Sequence, residues 1–220
     1  MSAIALESLQ ETINQQVSSF RANVSEEIQA VMAEKTAELQ AQHLAEKALK
    51  VGDRVPDFEL PDATGKTVKL SELLQSGAVI ISFYRGGWCP YCNLELRALQ
   101  QALPEFQKYN AQLVAISPET PDNSLSTQEK NELEFPVLSD VDNVVAKKFG
   151  LVFGLSEALK PIYQDFGIDV VAHNGNDKYE LPMPATYLID PVGIIRYAFV
   201  EEDYLQRAEP KEIVDALAQL

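Results

Sequence analysis

Val79-Ile80-Ile81-Ser82-Phe83-Tyr84-Arg85-Gly86-Gly87-Trp88-Cys89-Pro90-Tyr91-Cys92 is the stretch on which the fold turns. Its first six residues are β-branched or aromatic apart from Ser82, as in a strand buried on both faces. Beyond the second cysteine, Leu94, Leu96, Leu99, Leu103 and Phe106 recur mostly at three- and four-residue steps, the period of a helix. The two cysteines therefore fall where a strand passes into a helix, with Gly86 and Gly87 turning the chain.

That junction has chemical consequences. A helix N-terminus presents unpaired N–H groups and the positive end of the macrodipole, and both favour a thiolate over a thiol. With Cys89 as N-cap, Pro90 takes the first helical position, where its missing N–H would be unpaired anyway. Cys92 lies one turn on, near enough to close a disulfide. A free cysteine of pKa about 8.5 is only about 3% ionised at pH 7, and about 3.4 kcal/mol of preference for the charged form is needed to reach about 90%. The helix end, the neighbouring N–H groups and Arg85 are the sources at hand. Cys89, at the exposed end, is expected to be the nucleophile and Cys92 the resolving thiol.

Three other uses of the pair fit less well. Structural zinc wants four ligands, whereas the chain holds two cysteines and two histidines, His43 and His173, far off in sequence; a site shared across a dimer would be required. A static disulfide closing so short a loop stabilises little, and two ordinary buried cysteines leave the junction unexplained. No metal or cofactor is called for.

The surrounding composition narrows the class. The 220 residues carry a net charge of −15, which argues against nucleic acid or an anionic membrane as partner. No stretch approaches the eighteen or so apolar residues of a membrane helix. Met1-Ser2-Ala3-Ile4-Ala5-Leu6-Glu7 lacks the basic segment and apolar run of a secretory signal. Two cysteines three apart fit a reducing cytoplasm better than a secreted scaffold.

Residues 1–49 read as a helical extension, free of Gly and Pro. Leu6, Leu9, Ile13, Val17, Phe20, Val24, Ile28, Val31 and Leu39 mark an apolar stripe, and Ser25-Glu26-Glu27 signals a second helix start. The stripe packs on its own domain or builds a homodimer. Residues 50–220 form the main domain. A hairpin around Asp62-Ala63-Thr64-Gly65 and a short helix capped by Ser71 come first. Strand 79–84, the cysteine helix and strand 112–117 then make a parallel βαβ unit with the cysteines at the carboxyl ends of its strands. Asp140 caps a helix ending at Gly150. Residues 151–181 are an insertion with one helix and a loop holding His173, a less favoured candidate base. Strands 185–189 and 194–199 are joined by the turn Asp190-Pro191-Val192-Gly193, and Pro210 opens the last helix.

Trp88-Cys89-Pro90-Tyr91-Cys92 after a buried strand resembles the active site of the thioredoxin superfamily, with the Cys-Pro-Tyr-Cys arrangement of glutaredoxins. The longer run from Phe83 to Cys92 resembles the peroxiredoxin-like group of the alkyl hydroperoxide reductase and thiol-specific antioxidant family. The resemblance implies an α/β thioredoxin-like fold, a central mixed sheet flanked by helices. It also implies that Met183-Pro184 matches the pair preceding the penultimate strand of thioredoxins, where the proline is cis and lies against the cysteines. The chain departs from the peroxiredoxin pattern: counting back from Cys89, Ser82 and Gly86 stand where those enzymes carry a proline and a threonine, and Pro184 where a related arginine often precedes the penultimate strand. Ser82 also stands roughly where thioredoxins bury a proton-accepting aspartate.

The leading expectation is a thiol-disulfide oxidoreductase in which Cys89 attacks a disulfide and Cys92 resolves it. Trp88, Tyr91 and Pro184 would line a shallow groove, supported by Arg85, Pro90 and Met183, and thioredoxin or glutathione would reset the pair. The alternative is a peroxidase acting on hydrogen peroxide or alkyl hydroperoxides through a Cys89 sulfenic acid, with Arg85 replacing the missing arginine. A redox-inert interaction module built on the N-terminal helices is the third reading.

Overall fold

The computed structural model describes residues 8–220; the readings of Met1–Glu7, including Leu6 of the stripe, fall outside them. Helices α1 (Leu9–Asn23) and α2 (Glu26–Gln40) come first, separated where expected, and the Ser25 hydroxyl accepts the Ile28 N–H at 3.4 Å. The chain continues through β1 (Glu59–Pro61), β2 (Thr67–Lys69), α3 (Leu70–Leu74), β3 (Val79–Phe83), α4 (Pro90–Gln107), β4 (Gln112–Ser117), α5 (Pro121–Lys130), β5 (Val137–Ser139) and α6 (Val144–Lys148). It ends with β6 (Val152–Gly154), α7 (Leu159–Asp165), α8 (Val170–Asn174), β7 (Glu180–Pro182), β8 (Ala185–Ile189), β9 (Ile195–Val200) and α9 (Pro210–Leu217).

The central sheet runs β5-β4-β3-β8-β9. β3, β4 and β5 are parallel, while β8 is antiparallel to β3 and β9 to β8. Successive side chains of β3 go to opposite faces, as the pleat requires. Ile80 and Tyr84 join the core under α4 and α9, whereas Val79, Ile81 and Phe83 join the core on the other face with Val145 and Phe149. There Phe83, Phe149 and Tyr187 contact one another, with centroids 4.9 to 6.3 Å apart.

The apolar stripe of α1 is spent within its own chain. Leu9 and Ile13 are buried in the α4–α9 core with Val17 packed against it, each large aliphatic contributing about 1.5–3 kcal/mol. Glu209 holds the start of α1, accepting the N–H groups of Leu9 at 3.0 Å and Gln10 at 2.9 Å. α2 buries no residue fully.

Four local readings are corrected. Ser71 does not cap α3: the helix begins one residue earlier, and the Ser71 N–H is accepted instead by Asp57 Oδ1 at 3.0 Å. Asp140 does serve the helix start, but from further upstream, accepting the N–H groups of Val145 and Ala146 while Asn143 is the residue that precedes the helix. His173 lies in the last turn of α8, where Asp169 caps the helix by accepting the Ala172 N–H. The Met183–Pro184 bond is trans, as are all peptide bonds among the described residues.

Candidate active site

Cys89 is the N-cap of α4, with extended backbone (φ −84°, ψ 116°), and Pro90 follows at the helix start. The helix forms here because the residue before a proline is driven to extended geometry while the proline's own φ suits the first turn. The Cys89 N–H is bonded to the Gly86 carbonyl at 3.0 Å, and Gly86 adopts φ +154°, open chiefly to glycine. Both thiols are free, and neither is exposed. Cys89 is thus not at an exposed end: the indole of Trp88, the packed guanidinium of Arg85 and Tyr204 occupy the space around this turn.

Two buried arginines flank the pair. Arg85, from the turn after β3, places Nη2 3.5 Å from Cys89 Sγ and donates from Nη1 to the Tyr163 hydroxyl at 3.1 Å. Its guanidinium lies over the rings of Trp88 at 5.0 Å and Tyr204 at 4.3 Å. Arg207 places Nη2 3.6 Å from Cys92 Sγ, sets Nε 2.7 Å from Glu95 Oε2, and is fixed by the carbonyls of Tyr204 and Gln206. Thr186 donates to the other Glu95 oxygen at 3.3 Å.

Burial alone would raise both thiols. At Cys89 the hydrogen bond from the Cys92 thiol and the charges of Arg85 and Arg207 overcome it, holding Cys89 well below the ordinary thiol range. At Cys92, burial and the Cys89 sulfur together push the thiol well above it. Ionisation is therefore favoured at Cys89 over Cys92. Burial also raises the Glu95 carboxyl against the pull of Arg207.

The turn carrying the thiolate is clamped on both sides of Gly87. Its N–H is accepted by Glu119 Oε2 at 2.9 Å and its carbonyl accepts from Asn93 Nδ2 at 2.8 Å. Asn131 holds Asn93 at 2.9 Å. Glu119, fully buried, also accepts from Tyr84 and Thr127 and lies 2.8 Å from His173 Nδ1. A Cβ at residue 87 would collide with Thr127 Oγ1.

The structure thus brings Arg85 to Cys89, and Trp88, Pro90 and Tyr91 to the wall of one cavity together with Arg85. Pro184 lines an adjoining cavity with Arg85 and Tyr163 instead, and Met183 is buried in the core on the other sheet face, so the expected single groove is not formed. His173 meets Glu119 through Nδ1 and, among the described residues, makes no hydrogen bond to either sulfur. Ser82 is buried with no partner for its hydroxyl among the described residues; the buried carboxylate beside the thiols is Glu95. Sequence reading missed Glu95, Arg207 and Glu119. An acid three residues after Cys92, on the buried side of an apolar helix, was a legible signal for Glu95. Arg207, 115 residues from Cys92, gave none.

A mixed sheet with a parallel βαβ unit, its helix opening on paired, electrostatically split thiols, defines a thioredoxin-like fold that acts as a thiol-based oxidoreductase. Residues 51–198 match the model of the AhpC/TSA family. The chain belongs to that family, the peroxiredoxin-like branch of the thioredoxin superfamily. A peroxiredoxin of Mycobacterium tuberculosis is 37% identical over 114 residues, covering 52% of this chain and 74% of the relative. Peroxiredoxin Bcp of Escherichia coli K12 is 34% identical over 103 residues, covering 47% of this chain and 65% of the relative. Among solved structures, peroxidoxin BcpB of M. tuberculosis superposes with a TM-score of 0.64 at 27% identity, over 78% of this chain and 98% of that one. PrxQ of Xylella fastidiosa shares the fold with a TM-score of 0.62 at 18% identity, over 78% and 96% of the two chains. The family and the two relatives compared by sequence fit the peroxidase reading better than the disulfide reductase that led the sequence-based expectation.

Proposed function

We propose that the protein is a thiol peroxidase in which Cys89 is the peroxidatic thiolate and Cys92 the resolving thiol. The observation that carries the reading is the contact between a fully buried Cys89 and the Arg85 guanidinium. Burial keeps a protein disulfide from the sulfur, whereas a small hydroperoxide needs only a local opening to reach it, and the cation favours both the thiolate and the negative charge that develops on the departing oxygen.

In this scheme the Cys89 thiolate attacks the outer peroxide oxygen and the O–O bond breaks. The departing oxygen takes a proton and leaves as water or an alcohol, and Cys89 becomes a sulfenic acid. Cys92 then gives up its proton and attacks the Cys89 sulfur, a disulfide forms, and water leaves. An external dithiol or two small thiols, of the thioredoxin or glutathione class, return two electrons and two protons. Such a cycle suits a reducing cytoplasm; among the described residues no helix is long and apolar enough to cross a membrane. The clamp on Gly87 would keep the thiolate fixed while Trp88 moves to admit substrate. With Leu9 and Ile13 inside the chain's own core, a homodimer through α1 would have only its outer face to use.

The test is a comparison of second-order rate constants of the reduced protein with hydroperoxides and with glutathione disulfide. Hydroperoxides should react faster by at least a hundredfold. A faster reaction with the disulfide would return the protein to the reductase reading.

A further inference from the structure

Arg207 lies beyond the segment that matches the family, on the stretch between β9 and α9, yet its side chain ends against the redox helix. Both it and Glu95 are buried. The carbonyls of Tyr204 and Gln206 accept from Nη1, and Nε lies 2.7 Å from Glu95 Oε2. Thr186 of β8 donates to the second Glu95 oxygen. With one nitrogen on the backbone and another on the carboxylate, Nη2 is left facing Cys92 Sγ, 3.6 Å away.

Stability does not account for this arrangement. Moving a guanidinium and a carboxylate out of water costs about as much as their attraction returns, and apolar side chains of similar size would serve the core as well or better. What an apolar pair could not supply is a positive charge at Cys92. Cys89 already has one of its own in Arg85, whose Nη2 is 3.5 Å from its sulfur.

The order of events gives the second cation its use. In the reduced protein, burial and the Cys89 sulfur push the Cys92 thiol up, against the pull of Arg207 and Arg85. The Tyr84 hydroxyl also faces Cys92, and Glu95 reaches it through Arg207. Once Cys89 is a sulfenic acid, its sulfur carries no charge. The repulsion is lifted, and burial is what remains for the two arginines to overcome.

We infer that Arg207 is the catalytic residue of disulfide closure, stabilising the Cys92 thiolate as it attacks Cys89, and that Glu95 positions its guanidinium for that task. The inference rests on the peroxidase reading, which supplies the sulfenic acid. Cys92 loses its proton and its sulfur bonds to Cys89 Sγ. The S–O bond breaks, its electron pair leaves with the oxygen, and the departing hydroxide takes up a proton and leaves as water. Arg85 thus serves the first thiolate and Arg207 the second.

Two substitutions separate charge from scaffolding. Arg207→Met removes the cation and Glu95→Gln the anion that offsets it, so charge predicts opposite effects. Were the pair there to hold the segment before α9 against α4, loosening it from either side would act alike. The reduced full chain is mixed with excess hydrogen peroxide and followed through the fluorescence of Trp88, its single tryptophan. Closure is the phase that does not depend on peroxide concentration and vanishes in Cys92→Ser. Below the Cys92 midpoint, Arg207→Met should slow closure about threefold or more, because one pH unit of lost ionisation is about tenfold, of which a more basic thiolate regains about threefold by attacking better. Glu95→Gln should speed it. The same charges are read without peroxide in Cys89→Ser, where Cys92 is the one remaining thiol and its ultraviolet thiolate absorbance is titrated against Cys89→Ser/Cys92→Ser. There Arg207→Met should raise the midpoint by about one pH unit and Glu95→Gln should lower it. Where Arg207→Met does not fold, the sign of the Glu95→Gln effect decides alone. Closure slowed by both substitutions, or a Cys92 midpoint moved by neither, overturns the inference. If hydrogen peroxide oxidises Cys89 no faster than free cysteine, the peroxidase reading falls, and the titration in Cys89→Ser still decides whether Arg207 ionises Cys92.

Discussion

Replacing Arg85 with methionine removes the cation nearest Cys89 while keeping an unbranched side chain in the stack between Trp88 and Tyr204. At the observed 3.5 Å, a unit charge stabilises a thiolate by about 5 kcal/mol with an effective dielectric of about 20. Delocalisation over the guanidinium and the remaining charge of Arg207 reduce the loss. Even a third of it, about 1.5 kcal/mol, changes the thiolate-to-thiol ratio by about tenfold. Cys89 sits below the ordinary thiol range in the native protein, so Arg85→Met moves its titration to higher pH. Below the new midpoint less thiolate is present and the rate falls, and it recovers as the pH rises through that midpoint. The assay is stopped-flow oxidation of the reduced protein, followed through Trp88, together with the pH profile of Cys89 alkylation by iodoacetamide. The expected result is an alkylation midpoint raised by about one pH unit and a rate about tenfold lower than wild type at pH values below the native midpoint, with a recovery as the pH rises that a misfolded variant would not show. A variant within twofold of wild type at pH 7, with an unmoved alkylation midpoint, would refute the electrostatic account of this site.

Cys92→Ser should leave a sulfenic acid on Cys89 that dimedone traps, seen by mass spectrometry, whereas Cys89→Ser should abolish peroxide consumption; trapping at Cys92 instead would reverse the two roles. Arg207→Met leaves Glu95 buried without its partner and should destabilise the protein by about 3–5 kcal/mol, measured by urea unfolding, with part of the loss regained when Glu95 is also made glutamine. Ile13→Ala should cost about 2–5 kcal/mol by opening a cavity in the core without altering the molecular mass in solution; a halved mass would place α1 in a dimer contact. The native state binds fewer protons at Cys89 than the unfolded chain does, so its contribution to the stability of the reduced protein should be full above about pH 8.5 and fade as the pH falls. Comparing the unfolding free energies of wild type and Cys89→Ser from pH 5 to 9 checks the sign.

Local physics made much of this protein legible before any coordinates. The strand of β3, the helix of α4, their parallel return through β4 and the placing of Cys89 at the helix start with Pro90 inside it all follow from periodicity, glycine and proline geometry and backbone capping, which act over a few residues. The break between α1 and α2 followed from Ser25 in the same way. What needed the folded chain was everything whose meaning depends on a remote neighbour. The exposure of Cys89 was misjudged because a helix N-terminus is accessible only if nothing covers it, and Trp88, Arg85 and Tyr204 do. Arg207 meets Cys92 and Glu95 only once the segment before α9 is laid beside α4, and Glu119 acquires its role only when β4 ends under the redox turn. Whether the stripe of α1 faces its own core or a second copy is equally invisible in one dimension, because an apolar face records that it must be buried and not by what.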